Sequence, residues 1–327
     1  MTQFRNDYKN TGRSVNPPLK LKSHFLTGDE WSIEELQSVL DLAIQLKQER
    51  AEGTLRPLLK GKTVVMLFDK PSFRTRLSFT VAINELGANA IESIGSSRKT
   101  EEPEDVVRVL AGYAHAVMIR TFDHAYVERM AQLSPVPIIN GLTDSHHPCQ
   151  VMADLMTLQE RFSQLKGLRL AYIGDGNNML HSLMLLCPRL GIELHYACPI
   201  GFEPNAFIVK TSKNLAQEGG SSITAHATPE SAASLAHALY TDVWTSMGFE
   251  HEENSRELAF DGYQLNEALL AKADPQAVIM HCMPMVRGKE ISQTLPDHAQ
   301  SVIFQQSENR LHVQKSILVK LMTQNTK

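Results

Sequence analysis

Thr63-Val64-Val65-Met66-Leu67-Phe68-Asp69-Lys70-Pro71-Ser72-Phe73-Arg74-Thr75-Arg76 is the stretch that decides the fold. Thr63–Phe68 is a short apolar run closed by turn residues, which reads as a buried strand. Pro71 and Ser72 end it, and a helical pattern follows over Arg74–Leu86. Strand, turn and helix in this order form the unit of a parallel sheet with crossover helices. Such a turn also presents free backbone N–H groups and the positive end of a helix dipole. Ser72 and Thr75 add hydroxyls, and Arg74 adds a fork that matches phosphate oxygens. If Arg74 and Arg76 are both helical, they point about 200° apart. Arg74 is therefore assigned to an anion and Arg76 to a structural role. The plain alternative is a set of solvated helix-start residues.

The unit recurs outward from this point. Apolar runs at Ala116–Ile119, Val136–Ile139, Leu168–Ile173, Ile192–Ala197, Asp242–Thr245 and Val278–Met280 read as strands, and Ser221–Ala225 as a weaker one. Helical patterns occupy Ser32–Glu52, Glu104–Tyr113, Ala125–Gln132, Gln150–Phe162, Asn178–Leu190 and Pro204–Gln217. Smaller ones follow at Pro229–His237, Gln264–Ala271 and Glu308–Met322. Ser32 with Glu35 fits a capping box. The expected fold is α/β, with two domains that each hold a parallel sheet flanked by helices. Gln150–Phe162 reads as a helix joining the halves. The expected organisation is a flexible arm over 1–22, a first domain of 23–150 plus 308–327, and a second of 151–307.

Bulk properties narrow the partners. The chain has 327 residues, enough for two cores, with 43% hydrophobic and 21% charged residues. A net charge of −4 argues against a nucleic-acid scaffold, though not against a small anion held by a local basic cluster. The four cysteines, Cys149, Cys187, Cys198 and Cys282, form no C-x-x-C pair and read as reduced thiols of a cytoplasmic protein. No apolar run reaches membrane-span length, and Met1–Lys22 lacks the apolar stretch of a signal peptide.

Unusual polar residues collect at the carboxyl ends of the strands, where parallel sheets bind ligands. Arg120 follows one strand directly, and a charge there must be solvated or paired. Asn140 and His146-His147-Pro148-Cys149-Gln150 follow another, with His147 and Gln150 one helical turn apart. Gly174-Asp175-Gly176-Asn177-Asn178 follows a third, Ser246-Met247-Gly248 a fourth and His281-Cys282-Met283-Pro284 a fifth. The histidines and cysteines have no standard metal spacing and no acidic ligand cluster, so no metal is expected. Gly174–Asn178 lacks the third glycine of a dinucleotide fingerprint, and no acid for a ribose closes the next strand. A nicotinamide oxidoreductase is thus the weaker reading, and no cofactor is expected.

Taken together, these motifs resemble the transcarbamylase family, and within it the branch that accepts ornithine. The resemblance spans about His24 to Met322 and rests on Ser72–Arg76, His147–Gln150, Gly174–Asn178, Asp242–Gly248, His281–Pro284 and Glu308–His312 in this order. It implies a first domain for carbamoyl phosphate, a second for the amine, and a last helix that returns to the first domain. It also implies a homotrimer, or a multiple of one, with sites at subunit interfaces. By position, Ser72, Phe73 through its backbone, Arg74 and Thr75 would hold the phosphate. Arg120 would bridge phosphate and carbamoyl oxygen, His147 would reach that oxygen, and Gln150 the carbamoyl nitrogen. Cys282, the Met283 backbone and Arg310 would complete the pocket, with Arg120, His147, Cys282 and Thr75 closest to the chemistry. Asn178, Asp242, Ser246 and Met247 would hold the α-amino and carboxylate groups of L-ornithine.

Asp-x-x-x-Ser-Met-Gly favours a free α-amino group over an acylated one, because Asp242 supplies an anion for it. Two departures stand out: Phe73 occupies a place where many members carry a hydroxyl, and Ser96–Asp105 lacks the usual Gly-Glu-Ser-type loop. Lys99 or Arg98 could serve a neighbouring site in its stead. The implied reaction is attack of the ornithine side-chain amine on the carbamoyl carbon, giving L-citrulline and phosphate. The rival readings are a transcarbamylase for acylated ornithine or putrescine, and a silent subunit that binds carbamoyl phosphate.

Overall fold

A computed structural model describes residue 20 and residues 23–95, 101–245 and 253–323. The expected arm therefore lies, Lys20 apart, outside the described residues, as do Ser246, Met247, Arg98 and Lys99.

Two parallel sheets carry the chain. The first holds β1 (Thr63–Phe68), β2 (Asn89–Ile94), β3 (Ala116–Arg120) and β4 (Ile138–Leu142), in the order β2-β1-β3-β4. The second holds β5 (Arg169–Ile173), β6 (Glu193–Ala197), β7 (Ile223–Ala225), β8 (Ala238–Thr241) and β9 (Val278–His281), in the order β7-β6-β5-β8-β9. Each sheet reverses direction once: the chain leaves β1 for β2 and returns to its other side at β3, and leaves β5 for β6 and returns at β8. Ligand crevices form at such switch points, beyond the strand ends.

Helices α1 (Ile33–Glu52), α2 (Arg74–Glu85), α3 (Pro103–Ala111) and α4 (His124–Leu133) accompany the first sheet. Helix α5 (Pro148–Phe162) joins the halves. Helices α6 (Asn178–Leu186), α7 (Ala206–Gly219), α8 (Pro229–Ala233), α9 (Glu253–Ala259) and α10 (Glu267–Leu270) belong to the second half, and α11 (Ile303–Thr323) closes the described chain. The Ser32–Glu35 capping box forms at the start of α1, with both reciprocal bonds present. Helix α11 packs against α1, α2 and α5. Ser316 Oγ donates to Val39 O at 2.7 Å, and Lys320 pairs with Glu35 at 2.9 Å. Lys315, fully buried, pairs with Glu85 of α2.

Two strand expectations are corrected. Asp242–Thr245 is not a strand: β8 lies just before it, over Ala238–Thr241, and Asp242 stands beyond its end. The alanine-rich run Ala232, Ala233, Ala236, Ala238 suits a helix or a buried strand equally, which carried the expected helix to His237 although α8 ends at Ala233. Strand β2 was absent from the expected set. It is an edge strand with no buried residue, so its sequence lacks a continuous apolar run. Helix α6 stops before Pro188, where a 3-10 turn takes over, and α11 begins at Ile303 rather than Glu308.

Among the described residues, no helix is long and apolar enough to cross a membrane. The four cysteines are unpaired, and Cys149, Cys187 and Cys282 are buried.

Candidate active site

A cavity of about 640 Å3 opens where the carboxyl ends of the two sheets meet. Its walls bring together Ser72, Phe73, Arg74, Thr75, Arg120 and His147 from the first half and α5, Asn178, Asp242, Cys282 and Met283 from the second, and Arg310 from α11.

The turn after β1 is built as its sequence dictates. Ser72 Oγ accepts the Thr75 N–H at 3.2 Å and so caps the start of α2. Phe73 lines the cavity mouth at the start of α2 and is 72% exposed. Arg76 points away and forks onto Glu92 of β2, at 2.9 Å from Nε and 2.6 Å from Nη2. Arg74 makes no such pair. Burial lowers its pKa from the ordinary arginine range.

Three guanidinium groups converge, and among the described residues no acid pairs with them. Arg120 is 5% exposed, its Nε has no hydrogen-bond partner, and its pKa falls to about 10. Burial is the main cause, and the neighbouring Arg310 and Arg74 charges add to it. Arg310 donates from Nη2 to Thr75 Oγ1 at 2.7 Å and from Nη1 to Gln150 Oε1 at 2.8 Å, and its Nε is unpartnered. None of Arg74, Arg120 and Arg310 forms an ion pair among the described residues. Burying unpaired charge costs several kcal/mol, roughly, so such a cluster is stable when an anion completes it.

His147 stands at the start of α5, where its N–H donates to Ser182 Oγ of α6 at 2.7 Å. Its Nδ1 has no partner. Burial first, then Arg310 and Arg120, hold its pKa well below the ordinary value, so the ring is neutral and can donate from one nitrogen only.

The opposite wall is acidic. Asp242 accepts from Asn177 Nδ2 at 2.8 Å, from the Val243 N–H at 2.8 Å and from Cys282 Sγ at 2.9 Å. Burial, then the Asp242 charge, push the Cys282 thiol well above its usual range. Cys282 is therefore a protonated donor and not a thiolate. Met283 adopts φ 62°, uncommon for a side-chain-bearing residue, and its N–H donates to His281 Nδ1 at 2.9 Å. Ligand atoms of Asp242, His281 and Cys282 lie within 4.8 Å of one another. Yet His281 Nε2 meets Glu290 at 3.1 Å while Nδ1 accepts Met283, so neither ring nitrogen offers a free lone pair. The set does not fit a metal.

An anion pocket on one half thus faces a carboxylate on the other across a shared cavity, and comparison with known proteins agrees with that division. A family profile described as the carbamoyl-P binding domain of aspartate/ornithine carbamoyltransferase matches residues 23–160, and its Asp/Orn binding domain matches residues 166–321. The chain belongs to the aspartate/ornithine carbamoyltransferase family. It is 46% identical over 303 residues to an ornithine carbamoyltransferase of Anoxybacillus flavithermus, covering 91% of this chain and 96% of the relative. The ornithine carbamoyltransferase of Pyrococcus furiosus superposes with a TM-score of 0.90 at 40% identity, covering 94% of this chain and 100% of that one. An N-acetyl-L-ornithine transcarbamylase also superposes, at TM-score 0.82 and 26% identity over 93% of this chain and 100% of that one. The family fold therefore does not by itself choose the amine.

Within this carbamoyltransferase frame, three expected residues stand behind the wall or outside the description. Gln150 is buried behind the wall, where it braces Arg310. Ser246 and Met247 lie outside the described residues. Asn178 reaches the cavity and donates from Nδ2 to Thr143 O at 2.7 Å. Sequence reasoning missed Arg256 and the role of Asp175. Arg256 of α9 is buried, donates to Asp175 Oδ2 at 2.7 Å and to Trp244 O at 3.0 Å, and ties the segment after Asp242 to the segment after β5. Its only sequence signal was a charge inside a polar helical stretch, which looks the same as any solvated arginine.

Proposed function

We propose that this chain transfers the carbamoyl group of carbamoyl phosphate to the side-chain amine of L-ornithine, giving L-citrulline and phosphate. The observation that carries this reading is the convergence of Arg74, Arg120 and Arg310, unpaired by any acid among the described residues, opposite Asp242 in one cavity. The guanidinium side, with Ser72, Thr75 and the Phe73 backbone, suits a phosphate dianion. Asp242 suits a free α-amino group, which an acylated ornithine does not present; a plain diamine keeps that amine but lacks the carboxylate beside it.

The amine must shed a proton before attack, and an enclosed site disfavours its charged form. Attack places negative charge on the carbamoyl oxygen, for which Thr75, Arg120 and His147 are the donors. The departing phosphate takes the proton, so no separate acid is needed. Met283 contributes its backbone, and Ser246 and Met247 complete the amine site. Gln150 acts on the phosphate pocket through Arg310 rather than on the carbamoyl nitrogen directly. Residues 23–150 with 308–327 form the carbamoyl phosphate domain and 151–307 the ornithine domain, a division supported by the return of α11 to α1, α2 and α5.

The working assembly is a homotrimer or a multiple of it, in the cytoplasm. Four unpaired cysteines suit a reducing compartment. The decisive assay supplies carbamoyl phosphate with ornithine, acetylornithine or putrescine and identifies the product. Citrulline from ornithine is expected to dominate. A faster reaction with either other amine, or ligand binding without turnover, would overturn the reading.

A further inference from the structure

One buried carboxylate stands behind the cavity and touches none of its contents. Asp154 of α5 is 1% exposed. Its Oδ1 accepts from Gln150 Nε2 at 2.8 Å and from Gln306 Nε2 at 2.7 Å, and its Oδ2 accepts from Tyr240 OH at 3.0 Å. Four elements meet there, because Gln306 lies on α11, Tyr240 on β8, and Gln306 Oε1 in turn accepts the His281 N–H of β9 at 2.9 Å.

An amide side chain can be held either way round, with oxygen or nitrogen outward. Asp154, as an acceptor, takes the nitrogen end of Gln150. The oxygen end must then face Arg310 Nη1, which it does at 2.8 Å. With the amide reversed, an N–H would oppose a guanidinium N–H, and both would be buried without an acceptor. Arg310 Nη2 lies 2.7 Å from Thr75 Oγ1, so the direction of this one amide decides where the guanidinium meets the turn that begins α2.

We propose that Asp154 is a positioning residue for carbamoyl phosphate, acting through Gln150 to aim Arg310 into the phosphate pocket. This rests on the assignment of Arg310 and Thr75 to that pocket. Gln306 and Tyr240 fix the carboxylate itself, so the aim of Arg310 is set jointly by both halves of the chain.

The test is steady-state kinetics on the full chain, with thermal melting alongside. Asp154→Leu keeps the branched shape at a larger volume and removes the acceptor, and it should raise the KM for carbamoyl phosphate about tenfold, as expected when a buried charged acceptor is lost. Asp154→Asn can present its oxygen to both glutamines and its nitrogen to the Tyr240 oxygen, so it should restore KM to within about threefold. Adding Gln150→Ala to Asp154→Leu should raise KM little beyond the worse single variant, because both act through one contact. A KM within about twofold of the parent for Asp154→Leu, or independent multiplication of the two losses, would overturn the proposal. If Asp154→Leu does not fold, Asp154→Asn with Tyr240→Phe leaves the new amide free to turn over. That pair should raise KM about fivefold, and a parental KM would overturn the proposal equally. Arg310→Gln separates the two layers of the argument. An unchanged KM there removes the pocket assignment, whereas a raised KM with a silent Asp154 removes only the positioning role.

Discussion

Arg120 is the residue whose setting says most about the chemistry. It ends β3, lies almost wholly out of solvent and meets two further guanidinium groups and, among the described residues, no acid. An anionic ligand relieves that arrangement, and in the proposed reaction the same group faces the charge that develops on the carbamoyl oxygen. Arg120→Ala is expected to lower kcat/KM by about 100-fold or more, in line with loss of a donor to an oxyanion. Cys282→Ser keeps a donor toward Asp242 and should retain more activity than Arg120→Ala. The opposite ranking in the citrulline assay would place the chemistry at the thiol. Asp154 supplies a second check, on stability. Burial pushes its carboxyl up to about 7 from an ordinary 3.8, against the three hydrogen bonds that lower it. Between those two values the native state therefore holds a proton that the unfolded chain releases, and above about pH 7 the carboxylate accepts all three hydrogen bonds. The resulting stabilisation is complete below about pH 4 and is lost as pH rises through about 7. Asp154→Asn cannot titrate, so its melting temperature should fall less between about pH 4.5 and pH 8 than the parent's. Equal falls would place that titration elsewhere.

At the scale of elements, β1, its turn and α2 divide their arginines between function and structure. Arg76 forks onto Glu92 of β2 and stays partly exposed, whereas Arg74 faces the cavity unpaired. Arg76→Ala should cost about 0.2–1 kcal/mol of stability, the usual range for such a pair, and leave the KM for carbamoyl phosphate unchanged. Arg74→Ala should do the reverse, with a melting temperature near the parent's and a KM raised at least tenfold, measured side by side. That division was legible in the sequence, because a 200° separation on a helix follows from geometry alone. The partner of Arg76 was not. Glu92 sits on a strand whose Ile91 and Ile94 are exposed, so β2 has no buried run to betray it. Strand β8 was displaced for a different reason: Val243 and Trp244 look like strand residues, yet they follow a sheet end that is set by pairing with β5 and β9. The resemblance placed Gln150 at the site by position. Its place behind Arg310 depends on Asp154, Gln306 and Tyr240, which are 4, 156 and 90 residues away and show no pattern in the chain.

The whole molecule exposes apolar side chains beside its proposed active site. Phe73 and Leu77 lie one helical turn apart on α2, 72% and 52% exposed, and Ile94 ends the adjoining edge strand at 60%. An open edge strand with apolar neighbours invites association unless something covers it. A closed ring of identical subunits would cover it and would bring a neighbour to the mouth of the cavity, where Phe73 stands. On this view Phe73 replaces a hydroxyl without loss to the phosphate, because its backbone serves the pocket while its ring serves the contact. Leu77→Asp places a charge in that contact and touches no group in the cavity. It should shift the assembly toward monomers in analytical ultracentrifugation, with citrulline formation falling in step with the monomer fraction. An unchanged sedimentation profile would put the subunit contact on another face. Full activity in isolated monomers would show instead that each chain completes its own site, with Arg74, Arg120 and Arg310 sufficient for the anion.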